Sequence, residues 1–377
     1  MTVPELDRLR TAIDAVDSQL LALLSERARL ARQVGDVKKA DDDAPVYRPE
    51  REAQVISGLK QVNAGPLRSD SVAPIWREIM SACRSLEMPT RVAFLGPAGT
   101  FSEEALRGDP SLPADAELVP LPTVHRVVVA VADGDVDRAL APIENSLEGS
   151  VNEAVDALVH DAPGVRIIGE RVLSVRYSLL ARPGAALQDV RVVLSHPQAL
   201  AQCAGWLREA LPVAEVRART STAEAVREVA EGDDDAVAAL GTPVAGELYG
   251  ATVLAEGLGD DANATRFVWL ARRDEAAADP GAGAAWKSSL VFSGDGDGSP
   301  GWLVRCLSEF AARDVNLTRI ESRPSRRRLG HYVFLLDLDG RADVPGPAAD
   351  ALDALRPRCE DLRLIGAYPR AADAPTA

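Results

Sequence analysis

Four things are missing from this 377-residue chain, and each absence removes a class of function. No apolar run is long enough to cross a bilayer, because charge interrupts every one well short of the roughly 20 residues a spanning helix needs. The N-terminus, Met1-Thr2-Val3-Pro4-Glu5-Leu6-Asp7, has neither the basic nor the apolar stretch of a secretory leader. These two absences predict a cytoplasmic protein. The four cysteines, Cys83, Cys203, Cys306 and Cys359, lie far apart and form no Cys-x-x-Cys pair, so neither a zinc site nor a disulfide framework is expected. A basic surplus is missing too: 42 Lys and Arg against 57 Asp and Glu leave a net charge of −15. Nonspecific nucleic-acid binding needs a basic face to neutralise phosphates. An anionic small molecule is not excluded, but its site has to be built locally, from a few placed cations or from helix N-termini.

What is present falls into three patterns. Residues 1–90 read as all-helical, 91–273 as alternating strand and helix, and 286–370 as a smaller alternation. The breaks are Glu87-Met88-Pro89-Thr90 and the Ala/Gly/Asp/Pro stretch from Asp274 to Ala285, which reads as a linker.

In the first region Leu6, Leu9, Ile13, Val16, Leu20, Leu23, Leu30, Val34 and Val37 step by threes and fours. This is a heptad-like seam on one long helix. Arg27 falls on the seam, where a charge is costly unless paired. A snorkelling or ion-paired arginine explains it as well as a ligand site does. Lys38 lies about 20° round an ideal helix from Arg27 and ~16 Å along it, so two long side chains can close on a small dianion between them. Arg10 is ~26 Å from Arg27 along the helix. It reaches the same small ligand only from a second chain, which implies an intertwined helical dimer.

The run Leu9-Arg10, Leu20-Leu21-Ala22-Leu23-Leu24-Ser25-Glu26-Arg27, Gly35, Lys38, Pro45-Val46 and Arg51-Glu52 resembles the helical chorismate mutase domain. That resemblance implies a pericyclic rearrangement of chorismate to prephenate, in which the protein holds a dicarboxylate in its reactive fold and stabilises charge on the breaking ether oxygen. It implies that Arg27 and a partner's Arg10 grip carboxylates, with Arg51 nearby. Lys38 would face the ether oxygen and a carboxylate, and Glu52 the ring hydroxyl. Arg48 stands where the family often has aspartate, Cys83 where it has serine, and Glu87 where a glutamine often donates to the ether oxygen. Glu87 donates only if burial keeps it protonated, so mutase activity is expected to fall as pH rises through its pKa.

The central region repeats one junction. Strands end in Gly96-Pro97-Ala98-Gly99-Thr100-Phe101-Ser102, in Glu144-Asn145-Ser146-Leu147-Glu148-Gly149-Ser150, in Ser195-His196-Pro197-Gln198 and in Gly241-Thr242-Pro243, and each leads into a helix. Such junctions present hydroxyls and backbone N–H groups, which bind carboxylates without a lysine. The first is neither a P-loop nor a GxGxxG motif. Ser221-Thr222-Ala223-Glu224 reads as a capping box, and His196 as a structural residue at a helix start. The junctions, together with Asn263-Ala264-Thr265-Arg266-Phe267, resemble the prephenate dehydratase domain. The resemblance implies a two-lobed fold like that of periplasmic binding proteins, with substrate between the lobes. Thr265 would be the central catalytic residue, Arg266 would balance carboxylate charge and Phe267 would pack beneath. Thr100, Ser102, Asn145 and Ser146 would contact the substrate.

The last region is expected in the order βαββαβ, a ferredoxin-like sandwich. Asn316-Leu317-Thr318-Arg319-Ile320-Glu321-Ser322-Arg323-Pro324 and Tyr332-Val333-Phe334 resemble the ACT domain of phenylalanine-regulated enzymes. The resemblance implies a phenylalanine site built from Gly301, Leu303, Glu321, Ser322, Arg323 and Pro324. Trp302 stands where the family has a small residue. Arg326-Arg327-Arg328 reads as a solvated loop.

Three domains in this order imply a bifunctional enzyme, an isomerase and a lyase, that makes phenylpyruvate for phenylalanine biosynthesis under phenylalanine feedback. It would act as a homodimer or larger assembly without metal, cofactor, nucleic acid or membrane. The alternatives are a dehydratase with a degenerate mutase domain, a non-catalytic ligand sensor, and a preference for arogenate over prephenate.

Overall fold

The three-four apolar stepping has the predicted consequence: α1 (Val3–Lys39) is one helix, unbroken over 37 residues. The computed structural model describes residues 3–39, 49–87, 90–114, 116–278, 281, 283–294 and 299–371. Within them, the side chains of Lys38, Arg51, Glu52 and Glu87 lie outside the described set, as does all of Arg48. Two further helices follow, α2 (Pro49–Val62) and α3 (Ser69–Glu87). α3 is longer than the sequence implied and holds Pro74 inside it, past the first turn, where the proline forgoes one intrahelical hydrogen bond. It buries Val72, Ala73, Met80 and Cys83, and α1 and α2 both pack against it. The seam of α1 stays open: Leu9, Ile13, Val16, Leu20, Leu23, Leu30 and Val34 are all exposed.

The chain forms two compact units. One is residues 1–90 with 113–117, and the other holds the rest.

In the second unit, β1 (Arg91–Leu95), α4 (Phe101–Arg107), β2 (Glu117–Leu121), α5 (Val124–Asp133), β3 (Arg138–Asn145), β4 (Gly149–Ser150), α6 (Asn152–Asp156) and β5 (Val165–Ser174) build a first lobe. The helix expected to run through Leu158 gives way after Asp156 to a wider turn, Ala157–Asp161. The chain then crosses into β6 (Tyr177–Ala181), β7 (Val192–Ser195), α7 (Pro197–Gln202), α8 (Ala204–Ala210), β8 (Glu215–Ala218), α9 (Thr222–Glu231), β9 (Val237–Gly241), α10 (Pro243–Tyr249) and β10 (Thr252–Leu258). It returns to the first lobe as β11 (Ala264–Arg272). The sheets run β2-β1-β3-β11-β5, with β4 beside β3, and β10-β6-β9-β7-β8. The two crossings touch where Val175 N donates to Asn263 O at 2.8 Å. This is the two-lobed α/β class expected, hinged at residues 174–177 and 258–264.

The last elements are β12 (Trp286–Ser293), α11 (Trp302–Ala311), β13 (Leu317–Pro324), β14 (Tyr332–Asp339), α12 (Pro347–Leu355) and β15 (Asp361–Pro369). Their antiparallel sheet, β13-β14-β12-β15, and two helices form the expected ferredoxin-like sandwich. One face closes a core of Phe292, Trp302, Cys306, Phe310, Leu336 and Leu355. The other face is equally apolar: Val291, Leu335, Ile365 and Tyr368 enter the core of the first lobe beside Val131, Ile167 and Val268. Gly366 permits this, since a Cβ there would lie 2.4 Å from Ile167 O. The region read as a domain behind a linker is therefore fused to the first lobe by a shared core.

Candidate active site

β11 sits between β3 and β5 and is hydrogen-bonded to both. Its first residues leave the hinge, so Thr265 stands where the lobes join. Side chains alternate along a strand, which puts Thr265 and Phe267 on one face and Arg266 on the other. Phe267 is 2% exposed.

Thr265 is oriented by an amide chain. Asn145 Oδ1 accepts from Leu147 N and Glu148 N at 3.0 and 3.1 Å. Backbone N–H groups can only donate, so Asn145 must present its NH2 elsewhere. It donates to Asn263 Oδ1 at 2.7 Å and to Thr265 Oγ1 at 2.9 Å. Asn263 Nδ2 then donates to Gln202 Oε1 at 3.0 Å, and Tyr177 OH donates to the same oxygen at 2.9 Å. Burial pushes the Tyr177 pKa up, so the phenol keeps its proton. Among the described residues, this leaves two donors without an acceptor: the Thr265 hydroxyl and the Gln202 amide. Ser146 supports the start of the strand, its hydroxyl accepting from Ala264 N at 2.9 Å and its N–H donating to Ala264 O at 2.8 Å. Gln202, Asn263 and Tyr177 were not among the residues singled out from sequence. Asn263 lies in a motif read for its threonine, and Gln202 and Tyr177 carry no local signal.

The glycine junction ties the lobes together. Gly99 has φ +85°, and a Cβ there would meet that of Ala245 at 2.9 Å. Thr242 Oγ1 donates to Gly99 O at 2.8 Å and Tyr249 OH to Ala98 O at 2.9 Å. Phe101 meets Tyr177 edge-on, centroids 5.1 Å apart. Thr100 begins α4, but its hydroxyl donates to Leu95 O at 2.8 Å and does not cap the helix. Ser102 is buried. An interlobe pocket of about 380 Å³ is lined by Gly96, Pro97, Pro122, Thr220, Ser221, Glu224, Arg227 and Tyr249, a set that does not include Thr265. Ser221 caps α9 through Glu224 N, and His196 caps α7 through Gln198 N, the structural roles their sequence context gave them.

Arg266 corrects the sequence reading. Its guanidinium is turned away from Thr265 and committed to carboxylates: Asp337 at 2.6 Å, Glu170 at 2.7 Å and Glu144 at 3.4 Å, with Tyr368 OH at 3.0 Å. Lys287 adds a second cation on Glu170 at 2.9 Å. Burial alone would depress the Arg266 pKa, but the neighbouring Asp337, Tyr368 and Glu170 more than offset that and hold it above its usual value. Ser289 has one hydroxyl proton and gives it to Asp337, so the Tyr368 O–H points to Ser289.

In the helical unit, Arg27 is half-buried on α1 and pairs with no carboxylate among the described residues, whereas Arg10 is exposed and paired with Asp7 at 3.5 Å. Cys83 is buried. The expectations for Lys38, Arg48, Arg51, Glu52 and Glu87 concern side chains outside the described set.

In the C-terminal sheet, Gly301 starts α11 at φ +77° and Leu303 packs on the domain core. Trp302 fills that core, donating to Arg358 O at 3.0 Å. Glu321 and Arg323 bond to the first lobe, to Ser150 and Asp156, while Ser322 and Pro324 are exposed. The basic loop is not simply solvated, since Arg326 reaches Asp161 at 3.1 Å.

Residues 9–88 match the family model of chorismate mutase type II, and residues 92–275 that of prephenate dehydratase. A bifunctional chorismate mutase/prephenate dehydratase of Neisseria gonorrhoeae is 38% identical over 364 residues, 96% of each chain. The structure of a prephenate dehydratase from Arthrobacter aurescens in complex with L-Phe superposes with a TM-score of 0.67 at 38% identity, covering 76% of this chain and 92% of that one. That of GqqA, described as a novel type of quorum-quenching acylase, superposes with a TM-score of 0.66 at 33% identity, over 74% and 98%. Near-full-length identity and both family models agree: the chain belongs to the bifunctional chorismate mutase/prephenate dehydratases.

Proposed function

We propose that the chain converts chorismate to prephenate in its helical unit and prephenate to phenylpyruvate at Thr265, under phenylalanine control from its C-terminal sheet. The observation that carries the dehydratase reading is the fixed direction of the Asn145 amide. Thr265 Oγ1 accepts from Asn145, which leaves its proton aimed outward. Prephenate loses its ring carboxylate as CO2 and its C4 oxygen as water. The electron pair of the breaking C–C bond enters the ring, and the leaving oxygen takes up a proton. Threonine is too weak an acid to supply that proton outright. A preorganised O–H aimed at the leaving oxygen stabilises the charge developing there. The Gln202 amide offers further donors to a carboxylate, and Phe267 supplies an apolar floor. Arg266 holds none of the substrate.

In the helical unit, Arg27 and Lys38 grip the chorismate carboxylates, and Arg10 comes from a second copy. Glu52 and Glu87 complete the site. The open seam of α1 supports the dimer: apolar side chains at this spacing are stable in water once a second helix covers them. Phenylalanine as effector rests on the resemblance at Glu321 to Pro324 and on the L-Phe complex of the Arthrobacter enzyme. No described helix is long and apolar enough to cross a membrane, which accords with a cytoplasmic site of action.

The test is one incubation with chorismate in which prephenate and phenylpyruvate are followed separately. Both should form, in that order. Prephenate that accumulates without phenylpyruvate defeats the dehydratase reading. Prephenate supplied directly and consumed, while chorismate is left untouched, defeats the mutase reading. Thr265→Ala should stop the second step and spare the first.

A further inference from the structure

β13 has two unlike faces. Ile320, Ser322 and Pro324 are exposed, whereas Arg319, Glu321 and Arg323 turn toward the first lobe. The inward set grips the hairpin that carries Asn145. Ser150 Oγ donates to Glu321 Oε2 at 2.5 Å and accepts from Arg319 Nη2 at 2.8 Å. Arg323 forks onto Asp156 at 2.6 and 2.9 Å. Ser150 pairs across the hairpin with Glu144, and Gly149 with Asn145. The residue held by Glu321 is therefore one cross-strand step from the amide that orients Thr265.

A second clasp reaches the same hydrogen bond from the other side. Asp337 pairs with Arg319 across β13 and β14 and binds Arg266 at 2.6 Å, the residue after Thr265. Tyr368 on β15 binds Arg266 as well, at 3.0 Å. Asp337 and Glu170 are 1% and 2% exposed at the side chain. Separating buried partners leaves an uncompensated charge, which is strongly destabilising. The seam therefore resists sliding, and a displacement of one side is passed to the other. The first clasp starts on β13 and the second on β14 and β15 of the same sheet, and they close on the Asn145–Thr265 pair from either end.

We infer that this double clasp is the line along which occupancy of the C-terminal domain sets dehydratase turnover. A shift of the C-terminal sheet moves Ser150 through β13 and Arg266 through β14 and β15, and so changes the approach of Asn145 Nδ2 to Thr265 Oγ1. The inference rests on reading the C-terminal domain as a phenylalanine sensor. Coupling of this kind is a free energy shared by two sites, and removing a clasp lowers it without emptying either site.

The test uses the full chain with Ser150→Ala and, separately, Tyr368→Phe, each deleting one hydroxyl of one clasp. Dehydratase rate is followed against phenylalanine, and phenylalanine binding is measured by its heat. Basal rate and phenylalanine affinity should stay within about threefold of the parent, while the residual rate at saturating phenylalanine rises about tenfold. If Ser150→Ala does not fold, Tyr368→Phe alone decides. Unchanged inhibition in the folded variants overturns the inference and leaves the sensor intact. Loss of binding together with inhibition also overturns it, because the hydroxyl then serves the effector site. A parent chain that binds no phenylalanine overturns the sensor reading and the inference with it.

Discussion

The two units solve the same burial problem differently. In the second unit the large side chains close on one another: Phe94, Leu140, Ile143, Ile167 and Phe267 are all at most 2% exposed. In the first, Ile13 is 59% exposed and Leu23 68%, on a helix that packs against α3. Covering each such side chain contributes about 1–2 kcal/mol. The lobed unit thus closes its core within one chain, while the helical unit leaves an apolar seam exposed, the one that the proposed second copy would cover.

Mutations that silence one activity and spare the other test this contrast most sharply. Thr265→Ala should lower dehydratase kcat by about 10²–10³, the usual cost of one preorganised donor, with chorismate consumption unchanged in the same preparation. Next in size, Ile13→Glu with Leu20→Glu should lower mutase activity about 100-fold. Sedimentation should show a smaller particle, and the prephenate-to-phenylpyruvate rate should hold. A dimeric particle with intact mutase activity would break the contrast.

A smaller effect probes how completely the lobed unit is buried. Desolvation raises the Glu104 pKa from 4.5 to about 7, and its Oε2 has no partner. Between those values the folded state keeps a proton that the unfolded chain has lost, so stability falls as pH rises through that window. Glu104→Gln should gain about 2 kcal/mol at pH 8 and nothing at pH 4 in denaturant titrations.

The smallest effect lies at the seam. Hydrogen bonding from Arg323 lowers the Asp156 pKa below 3.8. That contribution is full above the unfolded value and is lost as pH falls through the depressed one. Asp156→Asn should therefore narrow the acid-induced loss of stability below about pH 4, by up to about 1 kcal/mol.

Local periodicity made much of this legible. The stepping of Leu6 to Val37 gave α1, and the order of strands and helices gave both α/β parts. Resemblance pointed to Thr265. What stayed hidden depends on residues far apart in the chain. Gln202 meets Asn263, and Asn263 meets Asn145, only after the lobes fold, across separations of 61 and 118 residues. The burial of the C-terminal sheet against the first lobe was masked because β12 and β15 alternate apolar residues on both faces, and the sequence cannot say what lies opposite. Arg266 is a different case: strand alternation already set it against Thr265, and the resemblance that assigned both to the substrate overrode that period.

The amide chain also makes the site depend on a single nitrogen, that of the Asn145 side chain. Asn145 is followed by Ser146, and hydrolysis of its side chain to aspartate changes one NH2 to an oxygen while the shape is kept. The donors at Leu147 and Glu148 would still be satisfied. The new oxygen can only accept, so the Thr265 proton would swing toward it and away from the substrate. The same oxygen would also face Asn263 Oδ1 and Ala264 O, both acceptors, so one atom decides both the direction of the amide chain and whether it holds together.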